Sequence, residues 1–446
     1  MNKKKLIFII TVFIISFSNY AQENKVEIIK INNNWKLLRN GIPYYIKGAG
    51  CEDLKYFKHL ADAGGNSIRT WSPDNGREVL DKAHELGLTV MMGLWAGQER
   101  QGFDYDNESA VKTQLNYFKS VVKKYKDHPA LLLWGVGNEV DLFYTNTKVW
   151  DAIQDIAKMI HEIDPNHPVT TVTAGLDPVE VKLIQEKAPD IDIYSINTYR
   201  EVCSASNVIR KAGWNKPYLF AEWGPAGHWE VRKTMWNAPI EQNSHEKALQ
   251  YVDSYECIIE DTSMCLGSYT FLWGHKQEVT STWYGMFTKK GQITEVIDYV
   301  TNCWTGKFPL NIAPSVDSAK IENFSKYDNI QLICEEIYQG EVYAKDDNNK
   351  LKFSFKIYPE STVEAVGGDF QDEIPSITGL IKKSKINEVR FMAPKNEGAY
   401  RLFIFVTDDI DKIAYANIPF YSNPRPDNMK QRQKIKLKTR RLKLNE

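Results

Sequence analysis

Two acidic side chains follow short apolar stretches that lie far apart in the chain. The first stretch, residues 130–140 (ALLLWGVGNEV), contains Glu139 near its end. The second stretch, residues 216–225 (KPYLFAEWGP), contains Glu222. Continuous apolar runs of this length are typical of strands buried on both faces. Each carboxylate would therefore lie at the C-terminal end of a buried strand. Cleavage of a glycosidic bond needs two such groups, one to protonate the leaving oxygen and one to attack the anomeric carbon or activate water.

The surrounding sequence alternates between strand and helix patterns. Eight strand-like segments, each followed by helical periodicity, extend over about 260 residues, which is the size of a barrel with eight strand–helix units. The predicted strands are residues 44–51, 66–72, 88–96, 130–140, 168–175, 191–199, 217–224 and 265–273. The fold class predicted is therefore α/β, with a (β/α)8 TIM barrel over residues 44–310. A doubly wound open sheet is the alternative, and it is disfavoured because no Gly-rich phosphate loop follows the first strand.

The N-terminus has the form of a targeting segment. Three lysines precede an apolar run over residues 6–17, and Ala21 offers a cleavage point, so residues 1–21 are predicted to be a signal peptide. A membrane anchor is the alternative, but the run is short for a span. Because no cysteine lies near Ala21, a lipid anchor is not expected, and the mature protein is expected to be periplasmic or secreted. Residues 22–43 alternate around Asn40-Gly41, which predicts a hairpin that caps the barrel.

The sequence pattern changes after the predicted barrel. Residues 315–422 alternate polar and apolar positions with period two and are broken by turn residues. This pattern predicts a small all-β immunoglobulin-like sandwich. Residues 423–446 are rich in Lys and Arg and are predicted to be a disordered tail. Contact of this tail with a membrane surface or a polyanion is the less favoured alternative.

Composition excludes several classes of function. The formal net charge is −1 with 25% charged residues, which gives no bulk signal for binding nucleic acid. The 6 cysteines are scattered and form no C-x-x-C pair, which disfavours a zinc ribbon or a redox motif. Export permits a disulfide, but the sequence alone does not pair the cysteines. Histidines are few and no carboxylates have ligand spacing, so neither a metal nor another cofactor is expected.

The ends of the predicted strands supply the candidate site, because functional side chains of such barrels come from the C-terminal ends of the strands. The candidates are Glu52, Arg69, Trp71, Trp95, Asn138, Glu139, Tyr199, Glu222, Trp223 and Trp273. Indoles beside carboxylates suit a sugar, since sugar rings present C–H faces that stack on aromatic rings. Trp229, in the loop after the seventh strand, adds a candidate for an outer sugar subsite.

The two carboxylates have different predicted surroundings. Glu222 lies where Arg69 and Tyr199 could donate hydrogen bonds and hold it ionised, as a nucleophile requires. Glu139 is then the acid, and burial together with the charge of Glu222 should raise its pKa. The two groups should face each other across one cleft at about 5 Å, close enough for a covalent sugar intermediate.

The paired motifs resemble those of the retaining glycoside hydrolases of clan A. In these barrels the acid/base follows the fourth strand, usually after Asn, and the nucleophile ends the seventh strand. The Trp-Gly-x-Gly-Asn-Glu and Ala-Glu-Trp-Gly sequences here match that order, and the resemblance covers roughly residues 40–305.

The resemblance implies a role for each matched residue. It implies Glu139 as acid/base and Glu222 as nucleophile. It implies Asn138 as the ligand of the sugar 2-hydroxyl, Arg69 and Tyr199 as residues that orient the nucleophile, and Trp273 as the platform under the sugar being cleaved. The upstream domains of family 2 enzymes are missing from this sequence. A barrel followed directly by an immunoglobulin-like domain is similar to the endo-β-1,3-glucanases of family 158.

The predicted function is therefore a retaining β-glycoside hydrolase acting on a β-linked polysaccharide or oligosaccharide, an endo-β-1,3-glucanase first of all. An exo-acting β-mannosidase or β-galactosidase and a β-glucan transglycosylase would use the same carboxylates. A glycan-binding protein without turnover is the non-enzymatic alternative. Structural roles also stay open: Arg69 could form only an ion pair, Tyr199 could be ordinary packing, and Trp71 and Trp95 could be core residues.

Overall fold

The computed structural model describes residues 24–347, 350–363 and 368–426. The predicted signal peptide, residues 1–21, lies outside the described residues, as does nearly all of the predicted tail. Within the described part, helices long and apolar enough to cross a membrane are absent.

A three-stranded antiparallel sheet precedes the barrel. It contains β1 (Val26–Ile31), β2 (Asn34–Arg39) and β3 (Ile42–Pro43). Asn40 and Gly41 both take positive φ, 53° and 77°, which is the conformation of the tight hairpin turn that the sequence predicts. The buried side chains of Val26 and Leu37 pack in the same cluster as barrel residues such as Leu133.

Eight parallel strands close into a barrel, which confirms the predicted fold class. The strands are β4 (Ile46–Gly50), β5 (Ser67–Arg69), β6 (Thr89–Leu94), β7 (Leu131–Val136), β8 (Val169–Ala174), β9 (Ile193–Asn197), β10 (Tyr218–Trp223) and β11 (Cys265–Thr270). They are neighbours in chain order, and β11 closes the barrel by pairing with both β10 and β4. Most barrel strands are buried along their whole length, because helices cover the outer face.

The helices that cover the strands are amphipathic. They are α1 (Phe57–Asp62), α2 (Gly76–Glu85), α3 (Glu108–Tyr125), α4 (Lys148–Ile163), α5 (Pro178–Lys187), α6 (Val202–Lys211), α7 (Ser244–Glu260) and α8 (Glu295–Thr305). In α4, for example, Trp150, Ile153 and Ile160 face the core with no exposed surface. A disulfide joins Cys203 of α6 to Cys257 of α7, a pairing that the sequence could not supply.

A β-sandwich follows the barrel, as predicted. Its strands are β12 (Ser315–Ile321), β13 (Ile330–Ile333), β14 (Ile337–Lys345), β15 (Lys352–Pro359), β16 (Ile381–Ser384), β17 (Glu388–Met392), β18 (Gly398–Thr407) and β19 (Ile413–Asn423). One sheet has the order β12-β14-β17-β16 and the other β13-β19-β18-β15. The pair β13–β19 is parallel, whereas the other paired strands of the sandwich are antiparallel.

Buried polar contacts join the sandwich to the barrel. Lys247 of α7 lies 2.6 Å from Glu241, and both side chains are almost fully buried. Asn417 Nδ2 of β19 donates to Glu241 Oε2 at 2.5 Å, and Arg401 Nη2 of β18 donates to the carbonyl of Pro239 at 2.6 Å. A charge removed from water needs such partners. The two units are therefore held together by a specific interface.

Candidate active site

A cleft of about 860 Å³ opens at the C-terminal ends of the barrel strands. Glu139 and Glu222 both line it, together with Asn138, Trp71 and Trp95. The strand-end rule therefore brings together side chains that are scattered over the first half of the chain.

Glu222, in β10, is surrounded by hydrogen-bond donors. Its Oε1 accepts from Arg69 Nη1 at 2.7 Å and from Trp71 Nε1 at 2.8 Å, and its Oε2 accepts from Tyr199 Oη at 3.1 Å. Glu222 is 5% exposed and Arg69 1%. A guanidinium and two neutral donors stabilise the ionised carboxylate in this buried position, because charge-assisted hydrogen bonds are strong where water is excluded. Three donors therefore converge on the two oxygens of this buried carboxylate.

Glu139 lies just beyond β7 on a turn that uses left-handed backbone. Gly137 has φ 74° and Glu139 has φ 50°. A Cβ on Gly137 would come within 3.0 Å of Val140 Cγ1, so the glycine satisfies both the backbone angle and the tight packing. The amide of Glu139 donates to the carbonyl of Val172 in β8 at 2.9 Å. A non-glycine residue held in this conformation is a feature often found at functional sites.

The surroundings of Glu139 favour its protonated form. Burial is the largest cause, and the negative charge of Glu222 is the next, and together they raise the pKa of Glu139 to about 8. A hydrogen bond from Asn197 opposes this shift. One carboxyl is thus kept neutral near pH 7 beside another that is surrounded by donors. That asymmetry is what an acid paired with a nucleophile needs.

A pair of amides connects the two carboxylates. Asn138 Oδ1 accepts from Arg69 Nη2 at 2.5 Å and from Asn197 Nδ2 at 3.1 Å. Asn197 Nδ2 also donates to Glu139 Oε1 at 2.8 Å. The predicted list did not include Asn197, although it ends β9 and the strand-end rule that selected Tyr199 applies to it equally.

Three aromatic residues of the predicted list lie in the cleft besides Trp71. Trp95 is 37% exposed and Trp229 is 51% exposed, so both present ring surface to solvent. The buried ring of Tyr199 packs edge-on against Trp229, with 5.8 Å between ring centroids. Exposed indoles beside two carboxylates give the cleft apolar surfaces on which sugar rings could stack.

The structure contradicts the predicted positions of two tryptophans. Trp273 has no exposed surface; its Nε1 donates to the carbonyl of Tyr56 and its ring stacks on Trp304. Trp223 is also fully buried and packs against Tyr251 of α7. For Trp273, the reason is that β11 ends at Thr270, so Trp273 lies three residues beyond the strand end. For Trp223, the reason is that consecutive β10 residues alternate between faces, so Trp223 points away from the side that Glu222 faces.

Other lining residues were not on the predicted list. Phe271, next after β11, lines the cleft, whereas Trp273 does not. Gln98 lies in the loop after β6, and its Nε2 donates to the carbonyl of Asn138 at 2.7 Å. Lys276 and Glu278 lie in the loop after β11. Gln98, Lys276 and Glu278 are in long loops, where no periodic pattern indicates which side chains turn inward.

Residues of the sandwich also line the cleft. Gly368, Asp369 and Phe370 contribute to it from the segment between β15 and β16. Glu52, one of the candidates at the predicted strand ends, lies in the lining too. Among the residues that the structure describes, groups of three or more His, Cys, Asp or Glu side chains placed to hold a metal ion are absent.

Comparison with known proteins agrees with this geometry. Residues 52–255 match the family described as Glycosyl hydrolases family 2, TIM barrel domain, so this part of the chain is similar to a glycoside hydrolase barrel. Among curated relatives, a β-glucuronidase from Chlorocebus aethiops is 24% identical over 183 residues, which is 37% of this chain and 26% of the relative. Mannan endo-1,4-β-mannosidase F from Aspergillus clavatus is 27% identical over 166 residues, 31% of this chain and 37% of the relative. The matched part is thus well under half of each relative.

Solved structures show the same fold. A Bifidobacterium dentium β-glucuronidase superimposes with a TM-score of 0.51 at 18% identity, covering 64% of this chain and 49% of that one. A Bacteroides uniformis β-glucuronidase gives a TM-score of 0.50 at 13% identity, covering 90% of this chain and 48% of that one. At these identities the similarity concerns the fold alone.

Proposed function

We propose that this chain, whose barrel matches the TIM barrel domain of glycosyl hydrolases family 2, is a retaining β-glycoside hydrolase that works by double displacement. The observation that carries the proposal is the asymmetry of the two carboxylates in one cleft. Glu222 accepts hydrogen bonds from Arg69, Trp71 and Tyr199, whereas the pKa of Glu139 is raised by burial and by the charge of Glu222. The separation of about 5 Å expected between such groups stays a prediction.

Each step follows from these positions. Glu222 attacks the anomeric carbon and forms a glycosyl ester as the bond to the leaving oxygen breaks, and Glu139 gives its proton to that oxygen. The ionised Glu139 then takes a proton from water, whose oxygen attacks the anomeric carbon and releases Glu222. Two inversions leave the configuration unchanged. A sugar hydroxyl in place of water would give the transglycosylase alternative.

The mode of action is proposed to be exo. The predicted endo-β-1,3-glucanase activity, and with it the likeness to family 158, finds no support in the relatives reported above. The predicted alternative, an exo-acting β-glycosidase, agrees better with the recurrence of β-glucuronidases among them. The endo-mannanase relative keeps β-mannans among the substrates that need testing.

The charge of the cleft favours a neutral sugar over a glucuronide. Seven carboxyl groups line it: Glu52, Glu139, Glu201, Glu222, Glu230, Glu278 and Asp369. The two cations among the described lining residues are both paired. Lys276 Nζ lies 2.6 Å from Glu278 Oε2, and Arg100 Nη1 lies 2.9 Å from Asp369 Oδ1. An ionised uronate would enter this field without a free partner, which disfavours its binding.

Export is proposed as well. The predicted signal peptide gives the reason, and a disulfide between Cys203 and Cys257 would persist in an oxidising compartment. The periplasm or the exterior of the cell would also be the place where β-linked polysaccharide is met.

A substrate panel tests the proposal. The purified protein would be assayed on the 4-nitrophenyl β-D-glycosides of glucose, mannose, galactose and glucuronic acid, with kcat/KM as the readout. Activity on a neutral glycoside is expected. Preference for the glucuronide would contradict the neutral-sugar assignment, and inactivity on every β-glycoside and polysaccharide offered would contradict hydrolysis itself.

Trapping the ester tests the assigned nucleophile. A 2-deoxy-2-fluoro glycoside of the preferred sugar should add one sugar mass to the protein, on the peptide that contains Glu222. Glu222→Gln should abolish both trapping and turnover. The matched control is Glu295→Gln, because Glu295 is a buried carboxyl outside the cleft whose pKa is raised to about 7, mainly by burial. That variant should keep its activity.

A further inference from the structure

The β-sandwich supplies part of the cleft lining. Gly368, Asp369 and Phe370 face the same cavity as Glu139 and Glu222. All three come from the segment between β15 and β16, far along the chain from the barrel. We name residues 368–371 the crossing segment. A domain whose only task is spacing would not need to contribute to this cavity.

Two contacts attach the crossing segment to the barrel. Arg100 Nη1, in the loop after β6, donates to both carboxylate oxygens of Asp369 at 2.9 and 3.2 Å, and the Arg100 side chain is 12% exposed. Gln371 Oε1 accepts from the amide of Val279, in the loop after β11, at 2.8 Å, and Gln371 is buried. A partly desolvated arginine–carboxylate pair fixes geometry better than an exposed pair does.

These contacts define where the crossing segment lies. In the barrel order, β4 and β5 stand between β11 and β6. The connections after these two strands are short, since the next helical turn begins at Leu54 after β4, and α2 begins at Gly76 after β5. The crossing segment joins the loops on either side and completes the mouth where the barrel's own loops are short.

The interface between the barrel and the sandwich fixes the position of the sandwich. Glu241 and Lys247 are buried between the two units, and Asn417 of β19 donates to Glu241. Lys412, beside β19, also lies 2.5 Å from Asp298 of α8. With its domain held in this way, the crossing segment is presented to the cleft at a defined position.

Phe370 is the residue with an unexplained exposure. This residue is 87% exposed although it lines the cleft. Exposed aromatic rings grouped in one cleft are typical of a binding groove, and Phe370 shares this cleft with Trp95 and Trp229. The negative face of an aromatic ring attracts partly positive groups, including the C–H face of a sugar.

We propose that Asp369 and Phe370 form an outer subsite, in which Phe370 stacks on a second or later sugar of a β-linked chain and the Arg100–Asp369 pair holds it in place. This inference rests on the proposed function and extends it: the substrate is a sugar chain, and the C-terminal sandwich belongs to the substrate-binding site.

The test compares long and short substrates. The readout is the ratio of kcat/KM for hexasaccharides of β-1,3-glucan, β-1,4-glucan and β-1,4-mannan to kcat/KM for the preferred 4-nitrophenyl monoglycoside. Phe370→Ala should lower this ratio about tenfold, because the monoglycoside lacks the sugar that the ring would contact. Asp369→Asn and Arg100→Gln should lower it in the same direction by weakening the pair that positions Phe370.

Phe324→Ala is the matched control. Phe324 is a phenylalanine of the same domain, 54% exposed, and it does not line the cleft, so its loss should leave the ratio unchanged. An unchanged ratio in Phe370→Ala, or an equal fall in both variants, would overturn the outer subsite while the wild-type enzyme remains a glycosidase. If the wild-type protein cleaves no glycoside at all, the proposed function fails and this inference fails with it.

Discussion

Arg69 Nη1 and Glu222 Oε1 lie 2.7 Å apart, and almost no surface of either side chain reaches solvent. The same guanidinium donates from Nη2 to Asn138 Oδ1. One arginine therefore contacts the nucleophile candidate and the amide beside the acid candidate. A planar guanidinium can serve two acceptors in fixed directions, which an ammonium group cannot reproduce.

Replacement of Arg69 should impair both catalysis and folding. Arg69→Met leaves Glu222 buried without a countercharge, and breaking a buried ion pair costs about 3–5 kcal/mol of the free energy of unfolding. We expect kcat to fall about 100-fold or more. Arg69→Lys keeps the charge and should recover stability more than activity. Urea unfolding with kcat on an aryl glycoside measures both, and wild-type activity in Arg69→Lys would contradict a role for the two-acceptor geometry.

Glu139 is expected to act at the leaving group. In Glu139→Ala the glycosyl ester should still form from a substrate with a good leaving group, such as a 2,4-dinitrophenyl glycoside, but its breakdown should be slow because no base activates water. Added azide should restore turnover and yield a β-glycosyl azide. Azide added to Glu222→Gln should not yield a β-glycosyl azide, which is the product with retained configuration at the anomeric carbon. If azide has no effect on Glu139→Ala, the acid/base assignment is wrong.

The pH profile should report the state of Glu139. A general acid must be protonated, so kcat/KM is expected to decline as the pH rises past about 8, the value to which burial and the charge of Glu222 raise the pKa of Glu139. The hydrogen bond from Asn197 favours the ionised form and lowers this pKa. Asn197→Ala should therefore move the declining limb to higher pH.

A merely structural role for Asn197 would lower activity at every pH without moving this limb. The comparison with Glu139→Ala identifies the titrating group, because the limb should vanish in that variant for substrates that need no acid assistance. A limb that persists there would belong to another residue.

Replacement by phenylalanine should affect catalysis at Trp71 and stability at Trp273. Trp71 donates from Nε1 to Glu222, so Trp71→Phe keeps a ring in the cleft but removes a donor to the proposed nucleophile, and kcat should fall about tenfold. Trp273 is packed on Trp304 outside the cleft, so Trp273→Phe should lower the free energy of unfolding by about 1–3 kcal/mol with little change in KM. A large rise in KM for Trp273→Phe would restore the predicted platform.

The sequence predicted the barrel because its signals are local. The apolar run of β7 indicates a strand buried on both faces, and the periodicity of α4 indicates a helix buried on one face. The strand-end rule then places Glu139 and Glu222 at the same end of the barrel. The same rule also selected Arg69, whose contact with Glu222 follows directly from its position at the end of β5.

What the sequence did not predict depends on contacts between distant segments. Trp273 was predicted to face the cleft because an apolar run does not show where its strand ends. In the structure, β11 ends at Thr270. Asp369 and Phe370 follow no periodic pattern, and their approach to Arg100 depends on how the sandwich packs on the barrel. The disulfide between Cys203 and Cys257 likewise requires knowing that α6 and α7 are neighbours.

The interface between barrel and sandwich should depend on Lys247. Burial alone would raise the pKa of Glu241, but Lys247 and the other donors outweigh it and lower this pKa. The carboxylate therefore stabilises the folded protein at neutral pH, and this contribution is lost as the pH falls below the ordinary range of a glutamate. Lys247→Met would leave the buried charge unpaired.

We expect Lys247→Met to cost about 3–5 kcal/mol of the free energy of unfolding at pH 7, measured by urea denaturation. The double variant Lys247→Met with Glu241→Gln should recover part of the loss, because the charge that Lys247→Met leaves unpaired is then removed as well. Lys58→Met is the control: Lys58 pairs with Asp62 on the exposed face of α1, and such pairs contribute less than about 1 kcal/mol. If Lys247→Met and Lys58→Met lose similar stability, the buried pair of Lys247 and Glu241 is not what holds the sandwich against the barrel. The position of Phe370 at the cleft must then depend on other contacts.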